Sequence, residues 1–232
     1  MKSFRCAALA DTTKRTYKSQ LNAYLKFCFN FGFQPVPASQ ETLCLYTAYL
    51  ARTLSANSIP CYLNVIRLLH LESGYQNPIA NNWELNSMKK GISRLLGQPA
   101  KQKHPITVAI LIALRRSLDN HPIDLAFWSA SLIAFLGFLR KPTLIPSPEL
   151  MAKGKFIARG DVTRFTLGSF SLNIRHSKTN QFGQRVLCLP FVSCPDPQHC
   201  PVRALVAHLG KSSLSQARPL FNYVENGREV VF

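Results

Sequence analysis

Residues 97–105, GQPAKQKHP, separate two segments of different character. The stretch has no apolar periodicity, and it combines glycine, proline and lysine in a composition that is typical of a linker. The sequence therefore predicts a domain boundary at this linker. One domain is expected at residues 1–96 and a second at residues 106–232.

The segment before the linker is predicted to form a bundle of short amphipathic helices. Apolar side chains recur there at helical spacing, with basic residues between them. Ser39 is a plausible N-cap, and Pro60 is tolerated because it lies near the first turn of its helix. We place the helices at residues 12–31, 40–53, 55–74 and 83–96. Four such helices in one segment indicate a small, separate helical domain.

The segment after the linker is predicted to combine helices with a small sheet. Thr107 caps one helix, and Pro122 opens a longer apolar helix that is expected to end at Arg140. Residues 176–184 form a polar loop between two predicted strands, which indicates a hairpin. We place strands at residues 155–158, 162–166, 169–174 and 185–191, and a last helix at residues 202–209. The predicted fold class is mainly α with a small antiparallel β-sheet (α+β).

The charge of the chain points to a polyanionic partner. Lys and Arg total 28 against 11 Asp and Glu, which gives a formal charge of +17. The excess is +9 over residues 1–104 and +8 over residues 105–232. Because a folded body with this charge attracts polyanions, nucleic acid is the expected partner. Composition alone leaves a basic but otherwise ordinary protein as the alternative.

The cysteines indicate neither a disulfide framework nor a metal centre. Seven of them are scattered along the chain, which is typical of reduced thiols in an intracellular protein. Cys194, His199 and Cys200 lack a second ligand pair at zinc spacing, so no metal is predicted. The first residues do not resemble a signal peptide, and the apolar residues 125–139 are too few to cross a bilayer. We expect a soluble protein of the nucleus, or of the nucleoid if bacterial, without a membrane partner.

Several phrases, taken in their order along the chain, resemble the tyrosine recombinase/integrase family, in its eukaryotic mobile-element branch. They are SANSIPCYLNVIRLLH (55–70), residues 88–106 ending in KHPI, LGFLRKPTL (136–144), ARGDV (158–162), SKTNQF (177–182) and CPV (200–202). The resemblance covers roughly residues 12–205. It implies a helical core-binding domain of the SAM-like type followed by part of a catalytic domain.

The resemblance also implies a chemistry. In the family a tyrosine hydroxyl attacks a DNA phosphodiester without a metal or nucleotide cofactor, so no cofactor and no small-molecule substrate are expected. Arginines stabilise the charge on the phosphate because the guanidinium fork bonds two oxygens at once, and Arg140 matches the first of them. Lys178 matches the hairpin lysine that acts as general acid. Taken singly, each residue more often has an ordinary role. An Arg at a helix C-terminus commonly complements the helix dipole or makes a salt bridge, and a Lys in a hairpin loop is commonly exposed and idle.

Two departures from the family pattern bear on activity. Lys141 and Pro142 follow Arg140 where the family continues Arg-x-x-Glu-Leu, so the acidic partner is missing. No His-x-x-Arg motif occurs in the sequence, and Tyr223 lies ahead of where that motif is expected. Residues that act as one catalytic unit are strongly non-additive. We therefore interpret the chain as C-terminally truncated and inactive in cleavage by itself.

Binding to duplex DNA is the remaining expectation. In the family both domains close around the duplex and the protein acts as a tetramer, so a homo-oligomer on DNA is implied. The candidate phosphate contacts are the basic residues Lys14, Arg15, Lys18, Lys89, Lys90, Arg94, Lys101 and Lys103. Such contacts set the affinity and its salt dependence but carry little sequence information. The alternative is a non-enzymatic basic helical module that binds protein or RNA.

Overall fold

The computed structural model describes residues 8–99, 102–166, 168–178, 180 and 184–232. The chain divides into two compact units, Met1–Lys103 and His104–Phe232. The first is helical, and the second combines helices with small antiparallel sheets. The predicted fold class, mainly α with a small antiparallel sheet, is confirmed.

The first unit is built from helices whose ends are set by capping residues. They are α1 (Asp11–Phe31), α2 (Gln40–Ala51), α3 (Ile59–Glu72) and α4 (Trp83–Leu96). Gly32 ends α1 in the left-handed conformation at φ 71°, which glycine adopts without a steric cost. The side chain of Ser39 accepts a hydrogen bond from Thr42 N, which confirms the predicted N-cap. Asn82 caps α4 in the same way, through Leu85 N.

The core of the first unit is aromatic and aliphatic. Tyr24 and Tyr46 are fully buried and meet edge to face at 5.1 Å between ring centroids. His70 is also buried: its Nδ1 donates to Ile66 O at 2.8 Å, and its Nε2 accepts from Ala38 N at 2.8 Å. The histidine that ends the phrase at residues 55–70 therefore joins α3 to the chain before α2. Its role in this unit is structural.

One helix of this unit begins later than predicted. The periodicity placed its start at Ser55, but α3 begins at Ile59, and Ser58 N bonds to Ser55 O in a preceding turn. Pro60 consequently lies in the first turn, where its missing N–H leaves no helical bond unmade.

The second unit has short helices around two antiparallel sheets. The helices are α5 (Val108–Arg116), α6 (Pro122–Leu136), α7 (Lys141–Leu144), α8 (Pro148–Ala152) and α9 (Pro201–Gly210). The strands are β1 (Val162–Thr163), β2 (Ser169–Ile174), β3 (Leu187–Val192), β4 (Tyr223–Glu225) and β5 (Arg228–Val230). Strands β1, β2 and β3 form one sheet in that order, and β4 pairs with β5. Helix α6 packs against α9 and β4.

Three predictions for this unit were wrong. The apolar helix ends at Leu136 and not at Arg140, because the chain turns at residues 137–138. Residues 155–158 form no strand; their only bridge in the described structure joins Ala158 to Pro219. The strand predicted at residues 162–166 is limited to Val162–Thr163.

The β4–β5 hairpin was missed, although its turn has a sequence signal. Asn226 and Gly227 both have positive φ, 50° and 73°, as the central residues of a type I′ turn require. Tyr223 lies in β4 with 5% of its surface exposed. The segment that looked like an isolated turn is therefore a hairpin, with Tyr223 buried at the start of its first strand.

A buried arginine joins distant segments of the second unit. Arg159, only 6% exposed, donates from Nη1 to Ser212 O and from Nη2 to Ser212 Oγ and Asn222 O. The last two bonds are 3.0 Å and 2.8 Å long. Burial lowers the pKa of this guanidinium, and nearby Glu229 opposes the shift. The basic residue of the phrase ARGDV therefore holds the C-terminal segment in place.

No helix within the described ranges is both long enough and apolar enough to cross a membrane.

Candidate nucleic-acid interface

Three of the predicted phosphate contacts line one shallow, open groove on the surface of α4. Lys89, Lys90 and Arg94 line it together with Asn86 and Ser93. All five side chains carry hydrogen-bond donors, and three of them carry a positive charge. The arrangement is suited to the oxygens of a phosphate backbone. We call these five residues the α4 groove.

The local sequence explains why α4 presents these side chains together. Leu85, Met88 and Ile92 pack into the core of the unit, so the opposite face of the helix is left to solvent. Lys90 and Arg94 are four residues apart and therefore neighbours, a like-charge pairing that costs an isolated helix a few tenths of a kcal/mol. Residues 85–104 contain no acidic side chain to offset the charge. Arg94 also lies in the last turn, where a cation is stabilised by the helix dipole.

The predicted contacts on α1 lie on its exposed first turns. Lys14, Arg15 and Lys18 are all exposed. Lys14 Nζ lies 3.5 Å from Asp11 Oδ1, and both side chains are about half exposed, so this ion pair is weak and open to exchange. Lys14 and Lys18 are one turn apart and share a face of the helix.

The linker contributes one described cation. Lys103 is exposed in a segment without regular secondary structure. Lys101 lies outside the described residues.

Arg140 lies at the start of a short helix and not at the end of a long one. Its backbone is extended (φ −80°, ψ 147°), and Thr143 N bonds to its carbonyl at 2.9 Å, so Arg140 is the N-cap residue of α7. Pro142 therefore lies in the first turn of α7, where proline is favoured, and does not simply break the preceding helix. The Arg140 side chain is exposed. A cation at a helix N-terminus is not stabilised by the helix dipole, so this position has no evident benefit for the fold.

Lys178 lies in the loop that joins β2 to β3, and it is exposed. Asn180 organises this loop: its backbone N–H bonds to Ser177 Oγ at 3.1 Å, and its side-chain amide donates to Arg175 O at 2.9 Å and to Arg185 O. The two sides of the loop are thus tied together through Asn180. The structure places the predicted lysine on the predicted β-hairpin loop.

Next to that loop is a charged arrangement that the sequence did not reveal. Asp161 is buried and accepts from Ala158 N at 2.9 Å, while Arg175 binds its other oxygen at 2.9 Å and 3.0 Å. Arg175 itself is largely exposed, so a buried carboxylate orients a guanidinium that faces solvent. Asp161, Arg175 and His176 line a shallow groove with Gln216 and Ala217. No sequence motif links residues 161 and 175, and only the β1–β2 register brings them together.

The Cys194–Cys200 region does not gather metal ligands. His199 Nδ1 bonds to Asp196 Oδ2 at 2.5 Å, and Cys194 donates to Asp196 O at 3.3 Å. These contacts close the loop before α9. Across the part of the chain that the structure describes, no three His, Cys, Asp or Glu side chains are grouped for a metal ion.

Comparison with known proteins gives one informative similarity. No protein-family model matches the chain. A protein described as an integrase/recombinase XerD homolog, from Selenomonas ruminantium, is 26% identical over 217 residues. The aligned region covers 91% of this chain and 59% of the relative, so the chain spans about three fifths of the relative's length.

The similarity bears on both units because it extends over nearly the whole chain. The similarity is to a protein described as an integrase/recombinase, which is the class of protein that the sequence phrases resemble.

Proposed function

We propose that this chain is a duplex DNA-binding protein of the tyrosine recombinase/integrase type, which holds DNA mainly through phosphate contacts. The observation that carries the proposal is the α4 groove, where three predicted cations lie together without an acidic neighbour along residues 85–104. The similarity to an integrase/recombinase over 91% of the chain supports the same function independently. Lys14, Arg15, Lys18 and Lys103 add further contacts from exposed positions.

Arg140 and Lys178 are proposed to face the DNA phosphate in the second unit. Both are exposed, and Lys178 is held on a hairpin loop that Asn180 closes. In the family the matching arginine balances charge on the non-bridging oxygens and the matching lysine gives a proton to the leaving oxygen. In this chain we expect the two side chains to contact the phosphate without a cleavage step. A shared basic surface for these two side chains is part of the proposal.

These 232 residues are proposed to bind without cleaving. The family's covalent step needs a second arginine and a tyrosine nucleophile, and the sequence contains no His-x-x-Arg motif. Tyr223, the tyrosine closest to the C-terminus, is buried in β4, where its hydroxyl is poorly placed to reach a phosphate. Because the members of such a catalytic unit act together, Arg140 and Lys178 alone are expected to give no measurable strand cleavage.

The branch of the family, the cellular location and the oligomeric state are proposed from the sequence phrases. They favour the eukaryotic mobile-element branch of the family and therefore a nuclear protein. Assembly into a homo-oligomer on DNA, a tetramer in the family, belongs to the same proposal.

The test is fluorescence anisotropy with a labelled duplex of about 30 base pairs, a length that exceeds the footprint of one protein domain on DNA. The full chain is titrated at several salt concentrations. We expect sub-micromolar binding at low salt and a steep linear fall of log K with log salt, with a slope of about −0.9 for each phosphate neutralised. A denaturing gel of the same mixtures is expected to show no covalent protein–DNA adduct.

Each result bears on a different part of the proposal. A folded sample that does not bind the duplex, or that binds single-stranded RNA more tightly, would overturn duplex binding in favour of the protein- or RNA-interaction module. A covalent adduct would overturn only the expectation of inactivity.

A further inference from the structure

The turn after α6 exposes a large aromatic side chain. Phe138 is 94% exposed, although it follows an almost entirely apolar helix and precedes Leu139, which packs against the core. Transfer of an aromatic ring from water to an apolar contact is favourable, so a ring held this far into solvent is a candidate contact for another molecule.

The backbone of this turn is strained at the same residue. Leu139 N bonds to Ala134 O at 2.9 Å, and Phe138 N bonds to Phe135 O at 3.4 Å. These two bonds define a Schellman turn, in which Phe138 occupies the left-handed position that glycine normally fills. The φ of Phe138 is 51°, a conformation that a side chain with a Cβ disfavours.

The glycine of this turn is one position earlier. Gly137 has an ordinary φ of −88°, so the turn does not need a glycine at this position for its conformational freedom. A Cβ at this position would lie 2.8 Å from Ile133 O and 3.1 Å from the ring of Phe191, so close packing explains why a glycine is present. The left-handed position is thus filled by an aromatic residue where glycine would fit the turn better, and nothing else in the turn requires a phenylalanine. Strained residues of this kind cluster at functional sites.

The charges beside Phe138 favour a polyanion as its partner. Arg140 and Lys141 follow within three residues, and both are exposed. Residues 125–148 contain no acidic side chain. Two residues of extended chain span at most about 7 Å, so the Phe138 ring and the Arg140 guanidinium can reach a base and a phosphate of neighbouring nucleotides together.

We propose that Phe138 is a base-contacting wedge, which stacks on a nucleobase of the bound DNA while Arg140 and Lys141 hold the adjacent phosphates. The inference rests on the proposed duplex binding and adds to it a contact in the second unit that is not electrostatic. Apolar wedges of this type partly unstack a base step, and aromatic stacking on a base is tolerant of its sequence. The left-handed turn serves this role because it directs the ring away from the core.

The test exploits the opposite effects of one substitution on folding and on binding. Phe138→Gly relieves the left-handed strain and removes no core contact, so the thermal midpoint of unfolding is expected to stay unchanged or to rise. Binding of the labelled duplex by the full chain is expected to weaken about tenfold. Because no phosphate contact is lost, the slope of log K against log salt is expected to stay at its wild-type value.

Two further variants complete the experiment. Phe138→Trp keeps an aromatic face and is expected to retain wild-type affinity. Phe29→Ala removes a comparably exposed ring, 87% exposed, from a regular helix in the other unit, and is expected to leave affinity unchanged. Wild-type affinity for Phe138→Gly, or an equal loss in Phe29→Ala, would overturn the wedge. Failure of the wild-type chain to bind duplex at all would overturn the proposed function together with it.

Discussion

In the helical unit the described Lys and Arg side chains are not buried, whereas the second unit holds an arginine and an aspartate in its interior. The buried polar residues of the first unit are Gln20, Thr42, Thr47, His70 and Asn82. The second unit buries Arg159, Asp161 and His208, each with hydrogen-bond partners. The same excess of basic residues therefore serves two purposes. The cations of the first unit are exposed and can bind a polyanion. In the second unit some of the charged side chains are buried and stabilise the fold.

Two arginines of the second unit show the difference most clearly. Arg159 is buried with three hydrogen bonds, and Arg140 is exposed at the start of α7. The family phrases contain both, so sequence resemblance alone does not separate the structural arginine from the candidate phosphate ligand. Burial and bonding do separate them, because Arg159 is held inside the fold and Arg140 is held outside it.

The largest expected effect on stability is at Arg159. Arg159→Met keeps an apolar stem but leaves Ser212 O and Asn222 O without their donor, so we expect unfolding free energy to fall by about 4 kcal/mol. Arg140→Met is the matched control, and its exposed position predicts a change within about 0.5 kcal/mol. Urea denaturation followed by circular dichroism measures both. Similar losses in the two variants would remove the distinction between them.

The next effect is a pH dependence that comes from His208. Burial lowers the pKa of His208 to about 4, with a further contribution from Arg159, while Nε2 donates to Leu220 O at 2.9 Å. In the unfolded chain His208 binds a proton near its ordinary pKa of about 6.5, so between these two values the unfolded state binds more protons. Stability is therefore expected to fall as pH drops from about 6.5 to about 4, by about 3 kcal/mol in total.

His208→Gln separates this contribution from those of the carboxylates. The glutamine amide can still donate to Leu220 O, but it does not titrate. Urea denaturation at several pH values is expected to show a smaller loss for the variant than for the wild-type chain. Parallel pH profiles would assign the acid sensitivity to other groups.

A smaller effect is expected at the ion pair between Asp161 and Arg175. Asp161→Asn keeps one acceptor for Ala158 N but loses the charge that orients Arg175. We therefore expect the free energy of unfolding to fall by about 1–2 kcal/mol. Arg175→Gln is expected to cost less than about 1 kcal/mol, because the Arg175 side chain is largely exposed and its half of the pair is screened by solvent. Thermal unfolding of both variants tests the asymmetry, and a reversed order would contradict it.

Local sequence signals predicted the parts of the fold that depend on local chemistry. Ser39 and Thr107 cap their helices as their positions suggested, and the bounds of α4 and β2 agree with the periodicity. The Asn226–Gly227 turn carried an equally local signal, but the strands on either side are too short to show an alternation.

The features that sequence reasoning missed depend on distant contacts. The partners of Arg159 lie 53 and 63 residues away, so no spacing rule connects them. The end of α6 was misplaced because Phe138 and Leu139 continue the apolar run, and the glycine of the turn is not at its left-handed position. For the candidate site, the sequence identified the cations of the α4 groove but not the pairing of Asp161 with Arg175.

The most direct test of the account is whether the α4 groove carries the DNA contacts. Lys89, Lys90 and Arg94 are changed together to Gln, and a control variant changes Lys155, Lys211 and Arg228 to Gln, which removes the same charge from other exposed positions. Duplex anisotropy at several salt concentrations is measured for both. We expect the magnitude of the salt slope to fall by about 2–3 in the groove variant and by less than about 1 in the control. Equal changes in the two variants would show that net charge, and not this groove, binds the DNA.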